Sequence, residues 1–414
     1  MPAARMRAVV SEPRSGHDPG MPSPIYLDNA ATTRPTERVA RAMQDAQREW
    51  FGNPSSKHAF GAGPKKHLAD AREFLRGTLG AAEIVFTSGG SEADYLGIVG
   101  AASVRSPGRV LMAASDHPAI LETAEPLGRM RCHVSVLPVT RDGDIGAETL
   151  FNALGADVRV VALMHGHNEL GTLSDLEELV ALVRRTSPEA HVHVDLVQSY
   201  GKIPFDLDAM DIDSVAVSAH KFHGPKGAGF LGLSSKARIG ALMRAGGQEN
   251  GLRGGTENLA GAIGTMIAAE DALLHQRRSK ERMESMCQLV EDAVRDEFPD
   301  ARRLGNPDRR LPHILSLQIP GIVGESLMLR CDVRGVAFSI GSACHGQTAP
   351  KRDPKKPDNH VLAAVGMGYQ EAREVIRVSF SRETTLEEVE IAATVIVEEA
   401  QALLRASPAA GGRR

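Results

Sequence analysis

Short apolar runs alternate with helix-patterned stretches through the first two thirds of this chain, and that alternation restricts the fold more than any other feature. Ile84-Val85-Phe86-Thr87 precedes a helical stretch from Glu92 to Val99, and Val110-Leu111-Met112-Ala113 precedes another that opens near His117. Val158 to Met164 is a β-branched apolar run. After it, Ser174-Asp175-Leu176-Glu177 reads as a capping-box start to a helix with Leu176, Leu179, Val180 and Val183 on one face. Val192-His193-Val194-Asp195 and Val215-Ala216-Val217-Ser218 follow. Strands of this kind between helices predict an α/β fold with a mostly parallel sheet covered on both faces.

The pattern changes beyond Thr256. From there to Phe298 it is helical, divisible into two helices that connect to a smaller α+β domain. That domain is expected to hold strands at His313 to Ile319, Ala337 to Ile340 and Ile376 to Phe380, a helix at Gly324 to Cys331, and a last helix from Thr385 through Leu404. Gly346 to Asn359 carries three prolines, basic residues and no apolar period, and reads as a mobile loop. The expected division is a disordered leader at 1–23, a large domain at 24–258, connecting helices and a small domain at 259–406, and a disordered tail at 407–414.

With 414 residues and 42% hydrophobic content the chain can bury two cores, while a net charge of -4 offers no basic field for nucleic acid or anionic lipid. No apolar run approaches the roughly 18 residues of a membrane span, and the leader lacks the apolar centre of a signal peptide. A cytoplasmic protein is expected. Its four cysteines, Cys132, Cys287, Cys331 and Cys344, are too scattered for a disulfide framework or a zinc site.

The chemistry gathers where the apolar runs end. Ser218-Ala219-His220-Lys221 sets a lysine directly after a buried strand, the setting in which an amine holds the aldehyde carbon of pyridoxal phosphate. If the segment stays extended, Ser218 and His220 share a face and both reach the phosphate. Lys226 is a rival amine in a Gly-rich turn. Asp195 ends its strand as a buried carboxylate, which needs a cation, and a protonated pyridine nitrogen is one. Val197 would press on the ring and Gln198 would reach its hydroxyl. Ser88-Gly89-Gly90-Ser91-Glu92 opens a helix after a strand, so bare backbone at Gly90 and the hydroxyl of Ser91 suit a phosphate.

These residues carry a resemblance to the class V aminotransferase family of pyridoxal-phosphate enzymes, and within it to cysteine desulfurases and selenocysteine lyase. The likeness runs from Tyr26-Leu27-Asp28-Asn29-Ala30-Ala31-Thr32-Thr33 through Gly52-Asn53-Pro54-Ser55-Ser56, Asn168-Glu169-Leu170-Gly171 and Arg253-Gly254-Gly255-Thr256-Glu257-Asn258 to Arg377-Val378-Ser379-Phe380. It implies a fold-type I enzyme with a seven-stranded sheet, and a homodimer whose active sites lie at the subunit interface. By the same resemblance His117 stacks on the ring and handles protons, Asn168 bonds the cofactor hydroxyl, and Thr256 crosses to the partner subunit's phosphate. Arg377 pairs with the substrate carboxylate, with Asn29 beside it.

Gly341-Ser342-Ala343-Cys344 resembles the desulfurase cysteine motif and selects the reaction. L-cysteine would become L-alanine, its sulfur held as a persulfide on Cys344 and passed to an acceptor protein. Selenocysteine lyase, or another carbon-sulfur lyase or aminotransferase on the same frame, is the alternative. The remaining three cysteines read as buried and structural. His167, Ala219, Tyr95 and Leu196 depart from the usual residues of the family.

Overall fold

The computed structural model describes residues 24–340 and 357–406; Cys344 and most of the Pro-rich segment lie outside the described residues, as do the expected leader and tail. The chain enters through a short strand, β1 (Ile25–Tyr26). Two helices, Glu37–Glu49 and Ala59–Leu79, precede the main sheet. That sheet is built from β2 (Glu83–Thr87), β3 (Arg109–Ala113), β4 (His133–Leu137), β5 (Val158–Met164), β6 (His191–Asp195), β7 (Ser214–Ser218) and β8 (Gly229–Leu233). Its order is β2-β8-β7-β6-β5-β3-β4, seven strands. Only β8 runs antiparallel, to both of its neighbours.

Burial explains the apolar runs. Every residue of β6, β7 and β8 is buried, as expected for central strands covered on both faces. One core joins Leu111, Val161, Val192, Val194 and Val215 to Leu179, Val180 and Val183 of the helix Leu176–Thr186. That helix is capped by Asp175, which accepts from the Glu178 N–H at 3.1 Å; Ser174 instead donates to the Met164 carbonyl at 2.7 Å. The carboxyl ends of β2, β3, β5, β6 and β7 all lie at one edge of the sheet, where ligands of open α/β folds bind.

A second core belongs to the C-terminal region. It is built on β9 (Arg302–Arg303), β10 (Ile314–Gln318), β11 (Val336–Ala337) and β12 (Val375–Ser379), with β10 between β12 and β9. Met286, Leu315, Leu317, Val378 and Ile396 pack there, joined by Ile25 and Leu27, because β1 pairs with β11. The first described residues thus lie in this core before the chain crosses to the main sheet. The helical stretch after Thr256 is two helices, Leu259–Leu274 and Gln276–Glu297. Thr385 and Glu388 form the expected reciprocal cap on the last helix, Leu386–Ala406. The expected strand at Ala337 to Ile340 is shorter, reduced to β11 and a bridge between Ser339 and Arg377. No helix among the described residues is long and apolar enough to cross a membrane.

Candidate active site

Asp195 closes β6 at the centre of the carboxyl edge. Its carboxylate accepts the Val197 N–H at 2.7 Å and is 5% exposed. Burial, with Asp94 adding repulsion, pushes it up to about 8. A buried acid held this far above its ordinary range stays protonated at neutral pH because its charge would be insufficiently compensated, and a cation placed against it would return it to the ionised form.

Lys221 follows β7 through one 3-10 turn, Ala219–Lys221. The extended segment expected from sequence ends at Ser218, so Ser218 and His220 do not alternate along one strand. The turn brings the Lys221 amine to the N-terminal segment, where Nζ donates to the carbonyls of Ala30 at 2.7 Å and Ala31 at 2.8 Å. The Gln198 amide donates to the same Ala30 carbonyl at 2.9 Å. Thr33 donates through its backbone N–H to the His220 carbonyl at 2.8 Å, and His220 Nδ1 meets Thr32 Oγ1 at 3.1 Å. Burial first, and then Lys221, lower His220 to about 4. The rival Lys226 is exposed.

A second amine at the site had no sequence signal. Lys202 Nζ donates to the Lys221 carbonyl at 3.0 Å, and burial together with the Lys221 charge lowers it to about 7.

The opposite wall is the start of the helix after β2. It runs from Gly90 through a π turn at Leu96–Gly100 to Ser103. A Cβ added to Gly90 would lie 2.7 Å from Val197 Cγ2 and 3.4 Å from Ser218 Cβ, so only glycine lets this helix start approach the ends of β6 and β7. Ser91 is exposed beside it and Ser218 is buried. Gly90 and Ser218 are thus neighbours at the start of this helix, with Ser91 next in the chain, and backbone N–H groups and hydroxyls are the kinds of donor that suit phosphate.

The third wall comes from β3 and β5. His117 starts the short helix Pro118–Leu121 and accepts the Ala119 N–H on Nδ1 at 3.1 Å, which places the proton of the neutral ring on Nε2. Burial, then the charges of Lys221 and His360, lower it to about 4. His167 is 4% exposed and supports this wall: Nδ1 accepts the Glu169 N–H at 3.1 Å, and Nε2 lies 3.0 Å from the Ser115 carbonyl. Since Nδ1 accepts, the proton sits on Nε2, and the ring ties the β5 loop to the β3 loop as a neutral group.

Asn168 follows, and its carbonyl accepts from Arg377 Nη1 at 3.0 Å. Arg377 lies in β12, 3% exposed, with Nη2 on Asp28 Oδ1 at 2.7 Å. Its Nε is buried without a hydrogen-bond partner among the described residues. The guanidinium is therefore held from two sides and still has a donor to give. Asn29 spends its amide N–H groups on the carbonyls of Tyr26 at 3.1 Å and Ser379 at 3.0 Å, which ties the Lys221-contacting segment to β12.

Asp195, Lys221, His117, Gln198, Ser218, Gly90, Asn168 and Arg377 thus line one edge. Thr256 is exposed in the single chain. Cys132, Cys287 and Cys331 are buried free thiols, as expected, and burial pushes Cys287 and Cys331 up to about 12, far from a thiolate. Leu196 and Ala219, two of the departures, are fully buried in the main core.

The arrangement matches a known class. The family model "Aminotransferase class-V" matches residues 25–391, and the chain belongs to that family of pyridoxal-phosphate enzymes. Within it, the chain is 37% identical over 380 residues to "Putative cysteine desulfurase IscS 1" of Bacillus subtilis (strain 168), covering 90% of this chain and 98% of that protein. It is also 37% identical to "Cysteine desulfurase NifS" of Azotobacter vinelandii, covering 88% of this chain and 90% of the relative. A solved structure titled "NIFS-LIKE PROTEIN" superposes with a TM-score of 0.83 at 32% identity, covering 91% of this chain and 98% of that one.

Proposed function

We propose that this protein is a cysteine desulfurase that converts L-cysteine to L-alanine and retains the sulfur as a persulfide on Cys344. The observation that supports the cofactor half is Asp195, a carboxyl buried at the end of β6 on the sheet edge where Lys221 follows β7, and burial there pushes it up to about 8. Pyridoxal phosphate would be held by Asp195 at its ring nitrogen, Gly90, Ser91, Ser218 and His220 at its phosphate, Val197 on its ring, and Asn168 and Gln198 at its hydroxyl. Thr256 of a second copy would complete the phosphate site. When bound, this cofactor withdraws electrons from the substrate α-carbon.

The chain's own residues do the rest. Arg377 offers a guanidinium fixed by Asp28 and the Asn168 carbonyl, a fork suited to the substrate carboxylate, and Asn29 fixes the segment next to it. The Lys221 amine would hold the cofactor and, once freed, take the α-proton. His117, neutral above about pH 4, carries its proton on Nε2 because Nδ1 accepts the Ala119 N–H; it would move the substrate thiol proton by giving Nε2–H to the carbon end of the broken bond and taking the sulfur's proton in its place. The Cys344 thiolate attacks the substrate sulfur; the carbon-sulfur bond breaks, its electron pair stays with carbon, and protonation there gives alanine. Support for Cys344 comes from its motif and from the burial of the remaining cysteines.

Homodimerisation is supported by the aromatic group Trp50, Phe51 and Phe60, of which Phe51 is 70% and Phe60 66% exposed in the single chain. A sulfur-acceptor protein is the remaining partner. The deciding experiment supplies L-cysteine and L-selenocysteine in turn to wild type and Cys344→Ala, assaying alanine with sulfide or selenide. The desulfurase reading expects Cys344-dependent alanine from L-cysteine. Equal alanine from L-cysteine in both proteins refutes the persulfide role, and Cys344-independent turnover of selenocysteine alone would favour the lyase.

A further inference from the structure

Beneath Asp195 lies a buried chain of four side chains that the proposed reaction does not use. His191, His193 and Asp195 point to one face of β6, and Ser214 stands beside His193 on β7. His191 Nε2 meets Ser214 Oγ at 2.7 Å, the same hydroxyl meets His193 Nδ1 at 2.8 Å, and His193 Nε2 meets Asp94 Oδ1 at 3.1 Å. Asp94, His191, His193 and Ser214 are each at most 1% exposed. The helix reaches this close only because position 97 is glycine, where a Cβ would come within 2.4 Å of the His193 ring.

One hydroxyl between two imidazoles permits two proton orders. In the first, Asp94 is neutral and donates to His193 Nε2, His193 Nδ1–H donates to Ser214, and Ser214 donates to His191 Nε2. In the second, Asp94 is ionised and each bond reverses. The first order holds one proton more, and that proton sits on His191 Nδ1, which has no hydrogen-bond partner among the described residues.

Resting on the cofactor reading above, we infer that Asp94, His193, Ser214 and His191 form a buried positioning relay that holds Asp94 as a neutral acid, leaving Asp195 as the acid that ionises against the pyridine nitrogen. The surrounding charges set the balance. Burial raises Asp94 to about 8, and an ionised Asp94 would add a second anion to the space shared with Asp195 and Asp116. Lys221 favours ionised Asp195 rather than Asp94. Burial first, and then Arg105, Arg184 and Lys236 at the far end, hold His191 well below its ordinary range, and burial lowers His193 to about 4, so both rings stay neutral. None of the four touches the cofactor position, and their effect passes through the charge state of Asp195.

Infrared spectra in the protonated-carboxyl stretch region test this at pH 7, on wild type, Asp94→Asn and Ser214→Ala, each with and without pyridoxal phosphate. Loading wild type is expected to remove the Asp195 contribution and leave, beside the band of Asp116, an Asp94 component that is lost in Asp94→Asn and shifted in frequency in Ser214→Ala. Loaded Asp94→Asn with the wild-type spectrum, or an unmoved band in Ser214→Ala, overturns the relay. The serine variant decides the matter by itself if the asparagine variant does not fold. A protein that stays colourless after pyridoxal phosphate and desalting refutes the cofactor reading separately, and the Asp94 band of the unloaded proteins then decides the relay alone.

Discussion

Asp195→Asn in the cofactor-free protein is expected to be stabilising above neutral pH. The carboxyl is buried and sits at about 8 in the fold, against 3.8 for the free group. Between those values the unfolded chain has released a proton that the native state keeps. Native stability therefore falls as pH rises, by about 1.4 kcal/mol per pH unit for this one group, and the fall ends above its folded value. Four units give a ceiling of about 5–6 kcal/mol, to which water penetration and relaxation set a lower practical value. Asparagine has no such charge to bury. Urea unfolding of both proteins, stripped of cofactor, at pH 5, 6, 7, 8 and 9 should show a gap that widens in favour of the variant and levels above pH 8. With saturating pyridoxal phosphate the order should reverse, because the wild-type carboxylate then has a cation and ligand binding adds to native stability. A gap that stays constant with pH, or a variant that loses ground as pH rises, would refute the assignment of Asp195 as an uncompensated buried acid.

Gly90→Ala sets a methyl 2.7 Å from Val197, and a strain of about 1–3 kcal/mol predicts roughly 5- to 150-fold weaker pyridoxal phosphate binding, read by absorbance titration. Unchanged affinity would remove Gly90 from the phosphate wall. His117→Gln should lower kcat on L-cysteine by about 10²–10⁴-fold. Because His117 is held near 4, the wild-type rate should show no limb from this ring between pH 6 and 8; an acid limb near the ordinary histidine range that vanishes in the variant would contradict the site electrostatics. Thr385→Ala should cost about 0.5–2 kcal/mol in denaturant unfolding while leaving cofactor absorbance intact, since its hydroxyl caps a helix of the second core.

The sequence made the site's chemistry more legible than its support. Asp195, Lys221 and the Gly89-Gly90 turn were readable because each follows a β-branched apolar run, and strand ends in α/β sheets collect ligands. The alternation of His191, His193 and Asp195 was equally visible, yet its meaning depends on Ser214 and Asp94, which only strand pairing and helix packing bring to those rings. Lys202 had no pattern at all: its amine reaches the Lys221 carbonyl through a loop whose path the core dictates. Similarly, Asn29 is legible as a site residue, but its bond to Ser379 follows from the bridge between Asp28 and Ser379, which joins the start of the chain to β12. In the main sheet, β8 has no β-branched run to mark it, because it is rich in glycine.

The most direct test of the central claim is a single-turnover reaction of the pyridoxal-phosphate-loaded protein with one equivalent of L-cysteine, followed by peptide mass mapping and alanine quantitation. The account predicts one added sulfur atom on the peptide containing Cys344, removable by a thiol reductant, with an equal amount of alanine. Alanine formed with no sulfur on Cys344, or sulfur found instead on Cys132, Cys287 or Cys331, would contradict it.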